Sequence, residues 1–236
     1  FMKIKKTITM SEVGLDSRVN LEQLFCIMQD AITVLFEQLK LSNYYMRTIH
    51  HGIWVFSKNK VTVNKRPYFN EEVIIESNIV EVDQLRVYVK TKCLSKKKEL
   101  YFEGVTECCA IDYETFRFIK TSNLKIPFKI EEVNTKYDFI ESEMEYLSTF
   151  RITMPLVDSS NHLNNAKAVL PIALTLSKEE TENIYSSKFE LAIKYSKQAM
   201  LNSEAKIYMN KNADRIDFAY KDNNDVVLEL GYIKLL

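Results

Sequence analysis

An excess of charge of either sign is missing from this sequence: 32 Lys and Arg residues stand against 32 Asp and Glu in 236. That balance removes the electrostatic case for a nucleic acid or an anionic membrane as partner. Missing too is any apolar run long enough to cross a bilayer. The opening residues Phe1-Met2-Lys3-Ile4-Lys5-Lys6 lack the apolar centre of a signal peptide. A cytoplasmic protein is the expectation. Cysteine is scarce, and Cys26, Cys93, Cys108 and Cys109 include no pair with metal-site spacing. They read as reduced core residues, and neither a metal nor an organic cofactor is expected. Histidine is scarcer still, with three residues. His50 and His51 fall in a stretch without periodicity and read as solvated, which leaves His162 as the one candidate for acid–base chemistry near neutral pH.

What is present begins with enough apolar residues, 46% of the chain, to build a substantial core. One segment then concentrates chemistry: Asp158-Ser159-Ser160-Asn161-His162-Leu163-Asn164-Asn165, just before an apolar helical pattern. A fainter copy, Asp16-Ser17-Arg18-Val19-Asn20-Leu21, lies 142 positions earlier (158 − 16) and also precedes a helical pattern. Helix capping accounts for Asp16-Ser17.

The flanking segments repeat as well. Leu21, Leu24, Phe25, Met28, Ile32, Leu35, Phe36 and Leu39 have three-and-four spacing and predict one long amphipathic helix. Alternating strands follow from Ile53 to Asp112. In the second half a helical pattern through Ala166, Val169, Leu170, Ala173 and Leu174 is interrupted by Pro171, which should kink or shorten it. Strands are then predicted near 189–195, 205–209, 215–220 and 226–235. Asn202-Ser203-Glu204-Ala205 matches Asn70-Glu71-Glu72-Val73 at an offset of 132 (202 − 70), so about ten residues are deleted between helix and strand. The charged, weakly periodic stretch 128–146 reads as the linker. The predicted fold class is α+β: a tandem (double) hotdog, each unit a long helix packed on a curled antiparallel sheet, over residues 1–135 and 136–236. Pairing the two sheets edge to edge would hide two strand edges.

With these elements in place, three segments resemble the acyl-acyl-carrier-protein thioesterases of bacteria and plant plastids. Gly52-Ile53-Trp54-Val55-Phe56-Ser57-Lys58, with Lys65-Arg66-Pro67 and Asn70-Glu71-Glu72-Val73, resembles that family's Trp-Val strand, its basic-Tyr-Pro turn and its Gly-Asp-Glu-Val. Ala110-Ile111-Asp112-Tyr113-Glu114-Thr115 resembles its Val/Ile-Asp-x-Glu-Thr hairpin, and Asp158 to Asn165 its Asp-x-Asn-x-His-Val-Asn-Asn. The resemblance implies hydrolysis of acyl-acyl-carrier-protein to free fatty acid and carrier thiol. It implies a catalytic set of an Asp, an Asn, a His and a Glu on a later strand. Asp158 and His162 match. Ser160 stands at the Asn position, and Gln198 stands where the Glu should be.

Thioester hydrolysis needs a polarised carbonyl, an activated nucleophile and a proton for the leaving thiolate. Backbone N–H groups at a helix start can hold the carbonyl oxygen. His162 can take a proton from water, with Asp158 orienting it. Ser160 can hydrogen-bond in place of an amide, and Gln198 can orient but cannot act as a base. Trp54, Asn161, Asn164 and Asn165 are the candidate substrate-binding residues. The second half is expected to hold the site and the first half most of the acyl cavity. The implied partner is an acidic acyl carrier protein, with Lys58, Lys60, Lys65 and Arg66 as candidates to face it, and a homodimer is compatible with this reading. Three rivals stay open: a non-catalytic acyl-binding protein, a hotdog dehydratase and a thioesterase acting on coenzyme A thioesters.

Overall fold

The computed structural model describes residues 1–140 and 143–236. The predicted linker over 128–146 includes residues 141 and 142, which lie outside the described residues. The elements run β1 (Met2–Thr7), α1 (Leu21–Gln38), α2 (Asn43–His50), β2 (Gly52–Val63), β3 (Glu72–Val82), β4 (Arg86–Ser95) and β5 (Leu100–Asp112). They continue β6 (Glu145–Arg151), α3 (Val169–Ala173), α4 (Lys178–Ser186), β7 (Phe189–Tyr195), β8 (Glu204–Asn212), β9 (Arg215–Lys221) and β10 (Val227–Leu235). The fold is α+β with one large antiparallel sheet and few helices. Strand order is β1-β3-β4-β5-β2-β7-β10-β9-β8-β6. Read from each outer edge inward, both halves follow the same order, and β2 pairs with β7 at the seam from Lys58↔Lys194 to Val63↔Phe189.

The long helix forms where apolar spacing predicts it. The face of α1 carrying Leu21, Leu24, Phe25, Met28, Ala31, Ile32, Leu35 and Phe36 is buried, and α1 packs on strands of its own half and against α3. In the second half Pro171 has the predicted shortening effect. A 3-10 turn over Asn165–Ala168 gives way to the five-residue α3, with Pro171 in its first turn, where its missing N–H breaks no helical bond. Two helices are corrections to the sequence reading. The stretch through Ser42 to Tyr45 forms the start of α2, and His50 ends that helix rather than lying in a loop. Helix α4 opens on Ser177 and Glu180 in a reciprocal capping box.

The turn hydrogen bonds repeat between the halves and correct the register of the repeat. Gly14 N–H donates to Arg18 O as Asp158 N–H does to His162 O. Ser17 N–H donates to Gly14 O as Asn161 N–H does to Asp158 O, and Asn20 N–H to Glu12 O as Asn164 N–H to Leu156 O. The shift is therefore 144 (158 − 14), not 142, and His162 answers Arg18 rather than Asn20. Further on, Phe69 N–H donates to Ser17 O as Leu201 N–H does to Asn161 O, which gives the expected 132 (201 − 69). The deletion is twelve residues (144 − 132) rather than ten. Near the last strand of each half the shift becomes 127 (228 − 101): Asn64 and Lys65 both donate to Tyr101 O, and Ser196 and Lys197 both donate to Leu228 O.

The face of the sheet away from the helices is crossed by the segment after Pro127. Lys129 N–H donates to Ile79 O, Lys60 Nζ to Lys136 O, and Arg215 pairs with Asp138. Tyr137 stacks on Phe139, which meets Tyr232 edge-on. Among the described residues no helix is long and apolar enough to cross a membrane.

Candidate functional site

The polar motif folds into a tight turn because its residues satisfy the turn from within. Asp158 Oδ1 accepts from Ser160 N–H at 2.8 Å, and Asn161 takes the left-handed conformation with φ 66°, which Asn tolerates better than most residues. The turn closes as Val157 bridges Leu163. Asn164, not Asp158, caps the helical segment that follows, its side chain accepting from Ala166 N–H at 2.9 Å. The early copy is also uncapped by its acid. Asn20 is the N-cap of α1, while Asp16 accepts from Arg18 N–H and pairs with the buried Arg66, which lies over the Tyr185 ring. The expected capping role of Asp16-Ser17 is thereby corrected to an ion pair.

The turn forms one wall of a cleft of about 620 Å3 between the halves. Asp158, Ser160, His162, Asn164, Asn165, Gln198 and Trp54 all line it. Asn161 does not. It stands exposed in the turn, where its carbonyl accepts from Leu201 N–H. His162 is part-buried, with Nδ1 3.9 Å from Asp158 Oδ1 and 3.4 Å from Leu163 O. The carboxylate is thus placed to orient the ring. Trp54 is fixed by its Nε1 donating to Leu41 O at 2.6 Å and by the Phe36 ring at 4.9 Å. From the other half come Gln29, Ile32 and Thr33 of α1 and Tyr44 and Arg47 of α2, so the helix absent from the sequence reading contributes to the wall.

Two features of the site escaped the sequence reading. Tyr195 Oη donates to Asn165 O at 2.8 Å and accepts from Asn59 Nδ2 at 3.0 Å, tying the motif to β7 and β2. Glu229 of β10 also lines the cleft, 3% exposed, with Oε2 unpartnered. Burial pushes its carboxyl up to about 8. A lone acid inside Val-Val-Leu-Glu-Leu-Gly was the available signal, but strand alternation alone does not tell which face of the sheet is covered.

The basic residues expected to face a partner are mostly engaged inside the protein. Lys60 is 3% exposed beneath Tyr137, and Arg66 is 3% exposed with Nη1 donating to Val19 O. Lys58 binds Glu107 at 2.9 Å; only Lys65 is exposed. The cysteines are free thiols, and burial raises Cys26 to about 11, which makes it a poor nucleophile. Among the described residues no cluster of His, Cys, Asp or Glu has the arrangement of a metal site.

Comparison with known proteins supplies the remaining observations. A family model described as the acyl-ACP thioesterase N-terminal domain matches residues 2–122. A search of curated proteins finds no match. The structure is similar to that of an acyl-ACP thioesterase from Bacteroides thetaiotaomicron, with a TM-score of 0.87 over 100% of this chain and 97% of that one, at 10% sequence identity. It is also similar to a 12:0-ACP thioesterase from Umbellularia californica, with a TM-score of 0.82 over 100% and 96% of the two chains, at 13% identity. At such identities the likeness is one of fold.

Proposed function

The chain belongs to the acyl-ACP thioesterase family, and from that premise we propose that it hydrolyses acyl-acyl-carrier-protein to free fatty acid and carrier thiol. We read it as a tandem hotdog, with units at 1–135 and 136–236, working in the cytoplasm. The observation that carries the proposal is the cleft, where a histidine beside a carboxylate meets a helix start and a groove walled by the other half. The first half contributes the acyl wall through α1, α2 and Trp54, and the second half the reacting groups.

In this mechanism the acyl carbonyl lies at the start of the helical segment after Asn164, whose positive end stabilises its oxygen as charge develops. His162 takes a proton from water as the water oxygen bonds to the acyl carbon. Asp158 stabilises the imidazolium. The C–S bond then breaks, and the imidazolium proton goes to the departing thiolate. Ser160 and Gln198 orient water and substrate. Asn164 and Asn165 shape the turn that presents them, and Asn161 acts through the turn rather than on the substrate.

A second reading is a non-catalytic acyl-binding protein, favoured by Ser160 and Gln198 standing where the family pattern has an amide and a carboxylate. Free thiol released from acyl-acyl-carrier-protein and acyl-coenzyme A separates the two. Turnover should fall by roughly 10²–10⁴ in His162→Ala and less in Asp158→Ala. Saturable acyl binding without thiol release would leave only the second reading, and faster turnover of the coenzyme A ester would move the substrate class.

A further inference from the structure

The repeat makes Glu229 conspicuous. Gly231 of β10 answers Gly104 of β5 at the shift of 127 (231 − 104), and both have almost no room for a Cβ. At the same shift Glu229 answers Phe102, a fully buried core residue. One copy of this strand therefore carries a phenyl ring where the other carries a carboxyl. The two positions have matching neighbours: Phe102 lies opposite Val63 and Cys93, and Glu229 lies opposite Tyr195 and Tyr220. A bulge precedes it, with register shifting between Val227 and Glu229, a device that re-aims side chains beside sites.

The tyrosines flanking Glu229 both reach up to the helical segment that carries the motif. Tyr195 Oη bonds Asn165 O, and Tyr220 Oη donates to Ala168 O and accepts from Ile172 N–H. Glu229 stands between these two supports, under that segment and open to the cleft, with Oε2 buried and unpartnered. An unpaired acid at such a position destabilises the fold relative to an apolar side chain, and in a cleft wall it is a group held ready for a ligand.

We infer that Glu229 is the second carboxyl group of the site, contributed from β10 where Gln198 in the loop after β7 has none, and that it donates a hydrogen bond to the thioester carbonyl oxygen. The inference rests on the thioesterase reading above. A neutral carboxyl donates more strongly as that oxygen gains negative charge, and in a dry pocket this stabilises the transition state more than the ground state. Proton transfer stays with His162, and Glu229 keeps its proton through the cycle.

The groups beside it are Tyr195 from β7 and Tyr220 from β9; Cys26 of α1 lies near Tyr195, and Asp158, His162 and Lys197 line the same cleft. Burial holds the tyrosine hydroxyls well above their ordinary value and Cys26 at about 11. A loss of activity on raising the pH through about 8 is therefore the signature of Glu229.

The test is the pH profile of kcat for acyl-thioester hydrolysis by the full chain, wild type beside Glu229→Leu and Glu229→Gln. Wild-type kcat should fall above about pH 8. Glu229→Leu should lower kcat at pH 7 by roughly 10²–10³ with KM little changed. Glu229→Gln, whose amide is a weaker donor, should lower it about tenfold and lose the alkaline fall. Should Glu229→Leu keep wild-type kcat, or the alkaline fall persist in Glu229→Gln, the inference is overturned while the thioesterase reading stands. A wild-type protein that binds acyl-carrier protein but releases no thiol would overturn both.

Discussion

Glu229 has a second consequence, for stability rather than rate. Its ordinary value is 4.5, and burial raises it to about 8 in the folded chain. Between those limits the unfolded chain has released the proton and the folded chain still holds it. Folding is then favoured at low pH, and the contribution is lost as pH rises through the window. Each unit of pH within it costs the folded state up to about 1.4 kcal/mol. Glu229→Leu removes the titration, so its melting temperature should exceed that of wild type by a margin that widens from pH 5 to pH 8. An unchanged margin in calorimetry would mean that the carboxyl is not buried unpaired in solution. In the other half, Arg66 answers Gln198 at the shift of 132 (198 − 66), and Asp16 answers Ser160 at 144 (160 − 16). Arg66 and Asp16 are ion-paired there, so corresponding positions hold an ion pair in one copy and cleft-lining amide and hydroxyl groups in the other.

Among the elements, the turn that carries His162 depends on one backbone conformation. Asn161 with φ 66° answers Ser17 with φ 58°, so both copies of the turn need a left-handed residue there. Asn161→Gly should leave stability within about 0.5 kcal/mol, whereas Asn161→Val should cost roughly 1–3 kcal/mol and lower kcat by moving His162. Urea unfolding and thiol release check the two effects. Equal stability of the Val and Gly variants would remove the argument. Legibility at this scale followed the strength of the local pattern. The eighteen-residue α1 was readable because apolar spacing persists over its whole length. The eight-residue α2 was not, since Asn43-Tyr44-Tyr45-Met46-Arg47-Thr48-Ile49-His50 buries only Met46 and is too short for apolar spacing to repeat. Asp158, Ser160 and His162 were visible as a dense run of polar types before an apolar helical pattern, and Gln198 only through the family resemblance. Glu229 was hidden because alternation assumes a wet sheet face, and here helices cover one face and the segment after Pro127 covers part of the other.

At the scale of the whole molecule, the repeat was legible in order but not in register. The two Asp-Ser pairs, Asp16-Ser17 and Asp158-Ser159, align by letters at 142, yet hydrogen bonds align the backbone at 144. Turn geometry follows backbone donors and acceptors, and Gly14 can fill the place of Asp158 without sharing its side chain. The partner-facing lysines failed for a related reason. Lys60 alternates with apolar residues as an exposed position does and Arg66 stands in a polar turn, but non-local segments lie over both.

The segment after Pro127 reaches from β3, through Lys129 and Ile79, across Lys60 of β2, to Arg215 of β9 and the Tyr232 ring of β10. It therefore ties strands from both sides of the β2–β7 seam. Opening the seam would strip this cover and break its contacts with Lys60, Arg215 and the Tyr232 ring. Neither half can then melt while the other stays native, and calorimetry should record one cooperative transition for the full chain, with van't Hoff and calorimetric enthalpies in agreement. Two resolved transitions would refute this. A chain that gains or loses its two halves together leaves no half-folded species with a bare strand edge, which is the state from which a long open sheet would otherwise aggregate.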